Sequence, residues 1–127
     1  MHQQIPILIY ADIAAAYDFL TAVFGLATGE LVRDENGTAV HGEVHAGNGA
    51  IWLHQESEDY HLSSPRTLGA ASSMMTVLVD DVDDHFARAR DSGAEIVYEP
   101  VDQPYGYREY SARDPEGRLW SFMKSLD

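Results

Sequence analysis

The chain has 127 residues, of which 45% are apolar, enough for one compact domain with its own core. Its 21 acidic and 8 basic side chains leave a formal charge of −13, which excludes the basic face a nucleic-acid binder needs and favours cationic small molecules. There is no cysteine, hence no disulfide or thiolate ligand, as fits the cytoplasm; no run of about 18 apolar residues marks a membrane span, and Met-His-Gln-Gln-Ile-Pro lacks the features of a signal peptide.

Ile5 to Tyr10 is a short, β-branched apolar run and predicts a strand, with Pro6 near its start or at an edge. Asp12 follows as an N-cap for a helix to about Phe24, in which Ile13, Ala16, Tyr17, Leu20, Val23 and Phe24 keep helical spacing before Gly25 stops it. Thr28 to Arg33, the turn Asp34-Glu35-Asn36-Gly37 and Thr38 to Ala46 predict a hairpin. The turn Gly47-Asn48-Gly49 then leads to a strand over Ala50 to Gln55. Residues 57–72 are polar, lack a period and read as a connector. The pattern then restarts: a strand over Ser73 to Val79, a helix after Asp80-Asp81, a strand over Glu95 to Glu99, and a hairpin. That hairpin joins Tyr107 to Arg113 with Arg118 to Lys124 through Asp114-Pro115-Glu116-Gly117, where Pro presets the turn and Gly is free to take φ > 0. Asp12-Ile13 recurs as Asp81-Val82, Tyr17 as Phe86 and Gly25 as Gly93, so the chain is an internal repeat.

Gly106-Tyr107-Arg108-Glu109-Tyr110-Ser111, followed by Asp114-Pro115-Glu116-Gly117-Arg118-Leu119-Trp120-Ser121-Phe122, resembles the last strands of the vicinal-oxygen-chelate superfamily, also called the glyoxalase/bleomycin-resistance/extradiol-dioxygenase superfamily. The resemblance runs over nearly the whole chain. It implies an α+β fold of two tandem βαβββ modules, about 1–56 and 73–127. These would form a curved mixed sheet with a concave cleft inside and helices outside.

Metal-dependent members of that superfamily hold a divalent ion with His and Glu from four strands. Carried over position by position, those sites fall on Ile5, Trp52, Met74 and Ser121. Alkyl, indole, thioether and lone hydroxyl groups are not the donors a hard cation requires, and a slip of one residue brings in none that is better. The expectation is no metal and no cofactor. His41, Glu43 and His45 offer another donor set on one strand face, but neighbours at that spacing stand about 6.5–7 Å apart and do not readily converge on one ion.

The resemblance also implies which side chains line the cleft. Ser121 facing inward puts Trp120 and Phe122 against the helices. Glu109 and Ser111 face the cleft with Tyr107, and the repeat assigns His41 and Glu43 to the matching places. Trp52, His54, Met74 and Tyr105 complete the ligand-binding set. His41, Glu43 and Glu109 are the acid–base candidates for catalysis. His2, His61 and His85 read as terminus, loop and helix-surface residues.

The function expected is metal-free binding of a small organic ligand, cationic or aromatic, similar to the bleomycin-resistance branch, whose members sequester an antibiotic in clefts at a homodimer interface. Its rival is a lyase, isomerase or hydrolase-like enzyme using the acid–base residues. A metal-dependent glyoxalase or dioxygenase is a more distant variant of the rival, and a structural dimer without a ligand is the third class.

Overall fold

Each copy of the repeat folds into its own sheet. In the computed structural model, which describes residues 2–127, the first copy is β1 (Ile7–Tyr10), α1 (Ile13–Ala22), β2 (Ala27–Arg33), β3 (Ala39–Ala46) and β4 (Gly49–Gln55). After a short α2 (Pro65–Leu68), the second copy is β5 (Met75–Leu78), α3 (Val82–Asp91), β6 (Glu95–Asp102), β7 (Tyr107–Arg113) and β8 (Leu119–Ser125). The sheet orders are β1-β4-β3-β2 and β5-β8-β7-β6, with the first strand of each module parallel to its last and the others antiparallel. The helix after the first strand supplies the crossover that parallel pairing needs. The α+β class and the two βαβββ modules are those expected. The strands divide between two open four-stranded sheets rather than one continuous curved sheet.

Both helices start where the sequence indicated. Asp12 accepts from Ala15 N at 3.1 Å and Asp81 from Asp84 N at 3.0 Å, each satisfying an otherwise unpaired first-turn donor. α1 ends at Ala22, two residues before the expected Phe24. Phe24 leaves the helix to pack on the second module, its ring 5.6 Å from Trp120 and 4.9 Å from Phe122. Ile13, Ala16, Leu20, Leu53, Phe86, Tyr110, Trp120 and Phe122 thus belong to one core that spans both modules. The helix-covered faces of the two sheets meet through it, and their other faces turn away from it.

The Asp114-Pro115-Glu116-Gly117 turn pins this arrangement. Asp114, 5% exposed, accepts from Glu116 N and Arg118 N on Oδ1 and from Tyr10 OH (2.6 Å) and Trp120 Nε1 (3.1 Å) on Oδ2. Glu116 accepts from Ala11 N (2.7 Å) and Asp12 N (2.9 Å), the two amides leading into α1. Gly117 takes φ 97°, the left-handed conformation expected of it.

The connector is more ordered than its polar composition indicates. Buried Ser64 caps α2 by accepting from Thr67 N, Pro65 occupies the first turn, and Glu56 accepts from Ser64 N at 2.9 Å. Four residues are too few to show a helical period. β6 runs on through Pro100 to Asp102, beyond the expected Glu99. It is an edge strand with register shifts, the setting in which a missing N–H is tolerated. Among the described residues no helix is long and apolar enough to cross a membrane.

Candidate functional site

The open face of each sheet carries its own polar and aromatic group. In the first module, β3 and β4 pair His41 with His54 and Glu43 with Trp52, so these four side chains share one face. Trp52 and His54 stack at 6.2 Å and 17° between planes, and His41 stands against both, 5.5 Å from Trp52 and 5.1 Å from His54. Glu43 accepts from Trp52 Nε1 at 2.6 Å and lies 3.3 Å from His45 Nε2. One carboxylate therefore fixes the indole orientation and takes up His45. β2 can close on β3 here because it carries Gly29, where a Cβ would stand 2.5 Å from the Glu43 carbonyl oxygen. Burial, then the neighbouring His41, lowers the His54 pKa and favours its neutral ring.

In the second module, β7 and β8 pair Ser111 with Ser121 and Glu109 with Met123. The two serine hydroxyls bond at 2.6 Å and are fully buried. Glu109 is 4% exposed and accepts from Gln103 Nε2 at 3.0 Å and from the Tyr105 hydroxyl, both on Oε1. Burial raises the Glu109 carboxyl, but hydroxyls of Tyr105, Tyr98 and Ser121 and the Gln103 amide outweigh it and hold the pKa below the ordinary range. The same bond pushes Tyr105 up to about 12. Tyr107 is half-buried at the start of β7.

The structure brings His41, Glu43, Trp52 and His54 together, and separately Tyr105, Glu109, Ser111 and Ser121. Among the described residues no hydrogen bond or ring contact joins the two groups. Met74 lies just before β5, exposed, on the wall of a cavity of about 830 Å³ formed by the connector with Arg113, Gly117 and Leu119. The residues paired with Trp52 and Ser121 are Ile7 and Thr76, not Ile5 and Met74, which precede their strands. These partners add no better donors to the carried-over set: an alkyl chain facing an indole and two facing hydroxyls do not fit a hard divalent ion. Among the described residues no group of three or more His, Asp or Glu is arranged to hold a metal. His41, Glu43 and His45 are spread along β3, with Glu43 already engaged by Trp52 and His45.

Two residues near Glu109 are absent from the sequence expectation: Gln103, in the turn before β7, and Tyr98, whose place opposite Ser111 lies beyond a register shift of β6 and cannot be counted from that turn. His85 is not a helix-surface residue. It is half-buried between the modules, Nε2 2.8 Å from the Phe24 carbonyl and Nδ1 2.6 Å from the Tyr110 hydroxyl, with its ring stacked on Phe122 at 4.2 Å.

A family model described as Glyoxalase/Bleomycin resistance protein/Dioxygenase superfamily matches residues 4–122. The crystal structure of TioX from Micromonospora sp. ML1 is similar with a TM-score of 0.77 and 32% identity, covering 99% of this chain and 100% of that one. TnmS3, an antibiotic binding protein from Streptomyces sp. CB03234, has the same fold with a TM-score of 0.74 at 19% identity, covering 98% and 96%. An uncharacterised protein of Mycobacterium tuberculosis (strain ATCC 25618 / H37Rv) is 29% identical over 119 residues, 91% of this chain and 70% of that protein.

Proposed function

The chain belongs to the glyoxalase/bleomycin resistance protein/dioxygenase superfamily, and on that premise we propose that it is a metal-free binder of small organic molecules that sequesters an aromatic ligand, such as an antibiotic, without turnover. The observation that carries this reading is the side-chain chemistry of the open faces. At the positions where the resemblance puts the metal ligands, this chain has Ile5, Trp52, Met74 and Ser121, none a donor for a hard cation, and the register partners Ile7 and Thr76 add none, beside a ring floor of Trp52, His54 and His41. Stacked rings suit a flat ligand. The antibiotic-binding role of TnmS3, which shares the fold, points the same way.

The ligand site is made by two copies. Each open face alone is half a groove, and β1 and β5 are edge strands that expose Ile7 (44%) and Leu78 (69%) beside them. A second copy covers those edges and sets the first module of one chain against the second module of the other. The lack of cysteine supports action in the cytoplasm.

A lyase or isomerase activity is the second reading. It is favoured by the neutral His54 ring beside His41, a usable general base near pH 7. Glu109, held below the usual carboxylate range, is a poor base by the same criterion. A thermal-shift screen of aromatic compounds and antibiotics, with a turnover assay on each hit and native mass spectrometry, tests the proposal. A compound at about a hundred times its Kd should add about 2.7 kcal/mol of stability, be recovered unchanged, and lose its effect in Trp52→Ala. Conversion of the compound, or a stoichiometric divalent ion needed for binding, would overturn it.

A further inference from the structure

Glu109 is a charge without a counter-charge. It is 4% exposed, yet among the described residues no Lys, Arg or His pairs with it. The other two buried carboxylates are provided for. Glu116 holds two backbone amides and faces Arg66 at 3.9 Å, and Asp114 receives four donors shared over both oxygens. On Glu109, Gln103 and Tyr105 both donate to Oε1; the Tyr98 and Ser121 hydroxyls lie near enough to favour the charged form, but neither meets Oε2 in hydrogen-bond geometry. Arg118 Nε is the one partnerless, fully enclosed side-chain nitrogen or oxygen among the described residues, so Oε2, which also lacks a partner, is not sealed off completely. The Tyr105 hydroxyl donates to the carboxylate from the turn, where the residue is 60% exposed, and Tyr98 lies near enough to lower the Glu109 pKa.

A buried carboxylate is costly unless a cation or a full set of donors compensates it. We infer that Glu109, flanked by Tyr98 and Tyr105, is the seat for the cationic group of the ligand, an ammonium or guanidinium that pairs with Oε2. This rests on the small-molecule reading above and adds to it the ligand's charge and the residue that selects it. Ionisation of Glu109 at neutral pH, which its hydrogen bonds favour, supports the assignment. The ring floor around Trp52 then takes the flat part of the same molecule.

The test is an NMR titration of the full chain with 2-naphthylmethylammonium and its neutral counterpart 2-naphthalenemethanol. The cation should bind more tightly and shift the Tyr105 and Ser121 amides. Glu109→Gln, which keeps shape and an acceptor, should weaken the cation about tenfold or more and the alcohol less than about threefold. Glu99→Gln, which removes an equal charge from an exposed position on β6, should leave the cation within about twofold. Equal affinity of the wild type for both probes, or equal loss of both in Glu109→Gln, overturns the inference and leaves the binding reading standing. Binding of neither probe overturns it too, and the thermal-shift screen separately decides whether the reading beneath it also falls.

Discussion

Asp114 gathers Tyr10 and Trp120 side chains and two turn amides onto one nearly buried carboxylate. Burial and the Asp114 charge beside it raise the Tyr10 hydroxyl well above its usual pKa, so it stays a donor at every working pH. Asp114→Ala leaves those donors unsatisfied inside the core, at a cost of about 3 kcal/mol or more, a large share of the stability of a small domain. A thermal melt should fall on the order of 10 °C, while ligand affinity of the folded protein is unchanged. A melt within a few degrees of wild type would show that the turn does not hold the modules together. Within the motif that carries the family resemblance, the Asp114-Pro115-Glu116-Gly117 turn is therefore structural. It was legible because turn residues at fixed spacing have local causes. The environment of Glu109 was only partly legible: Tyr98 lies beyond a register shift of β6, while Gln103 bonds it from the adjoining turn.

The two modules meet at His85. α3 carries it, and its ring touches the Phe24 carbonyl just past α1, β7 at Tyr110 and β8 at Phe122. Burial lowers its pKa first; Phe24 and Asp84 pull it up and Arg88 down, and the net direction is below the ordinary 6.5. The unfolded chain thus takes up the proton more readily. The stability that His85 contributes is fully present above about pH 6.5 and is lost as pH falls through the folded value. His54, shifted the same way, adds a share of its own. In urea titrations at pH 7.5 and pH 5, His85→Gln should lose less stability on acidification than the wild type does. An equal loss in both proteins would remove His85 as the cause. Helical spacing correctly gave α3 and its capping Asp81, and parity placed Trp120 and Phe122 in the core. Spacing alone could not show that the flank of α3 bearing His85 meets a second module.

At the scale of the whole molecule, the sequence repeat becomes two sheets that share their helix side. The duplication follows from periodicity and turns, and the residues of each open face were implied by the family resemblance. The way the two copies are set against each other does not, because it depends on side chains such as Phe24 that depart from the helical pattern. That arrangement gives the account its central claim, that one ligand is held by the Trp52 group of one chain and the Glu109 group of another. In a dimer of this kind, pairing a Trp52→Ala chain with a Glu109→Gln chain concentrates both changes in one cleft and leaves the other cleft intact. Calorimetric titration of that mixed dimer with 2-naphthylmethylammonium should find wild-type affinity at one ligand per two chains, although each parent variant binds weakly. Binding no stronger than that of the parents would contradict a shared cleft.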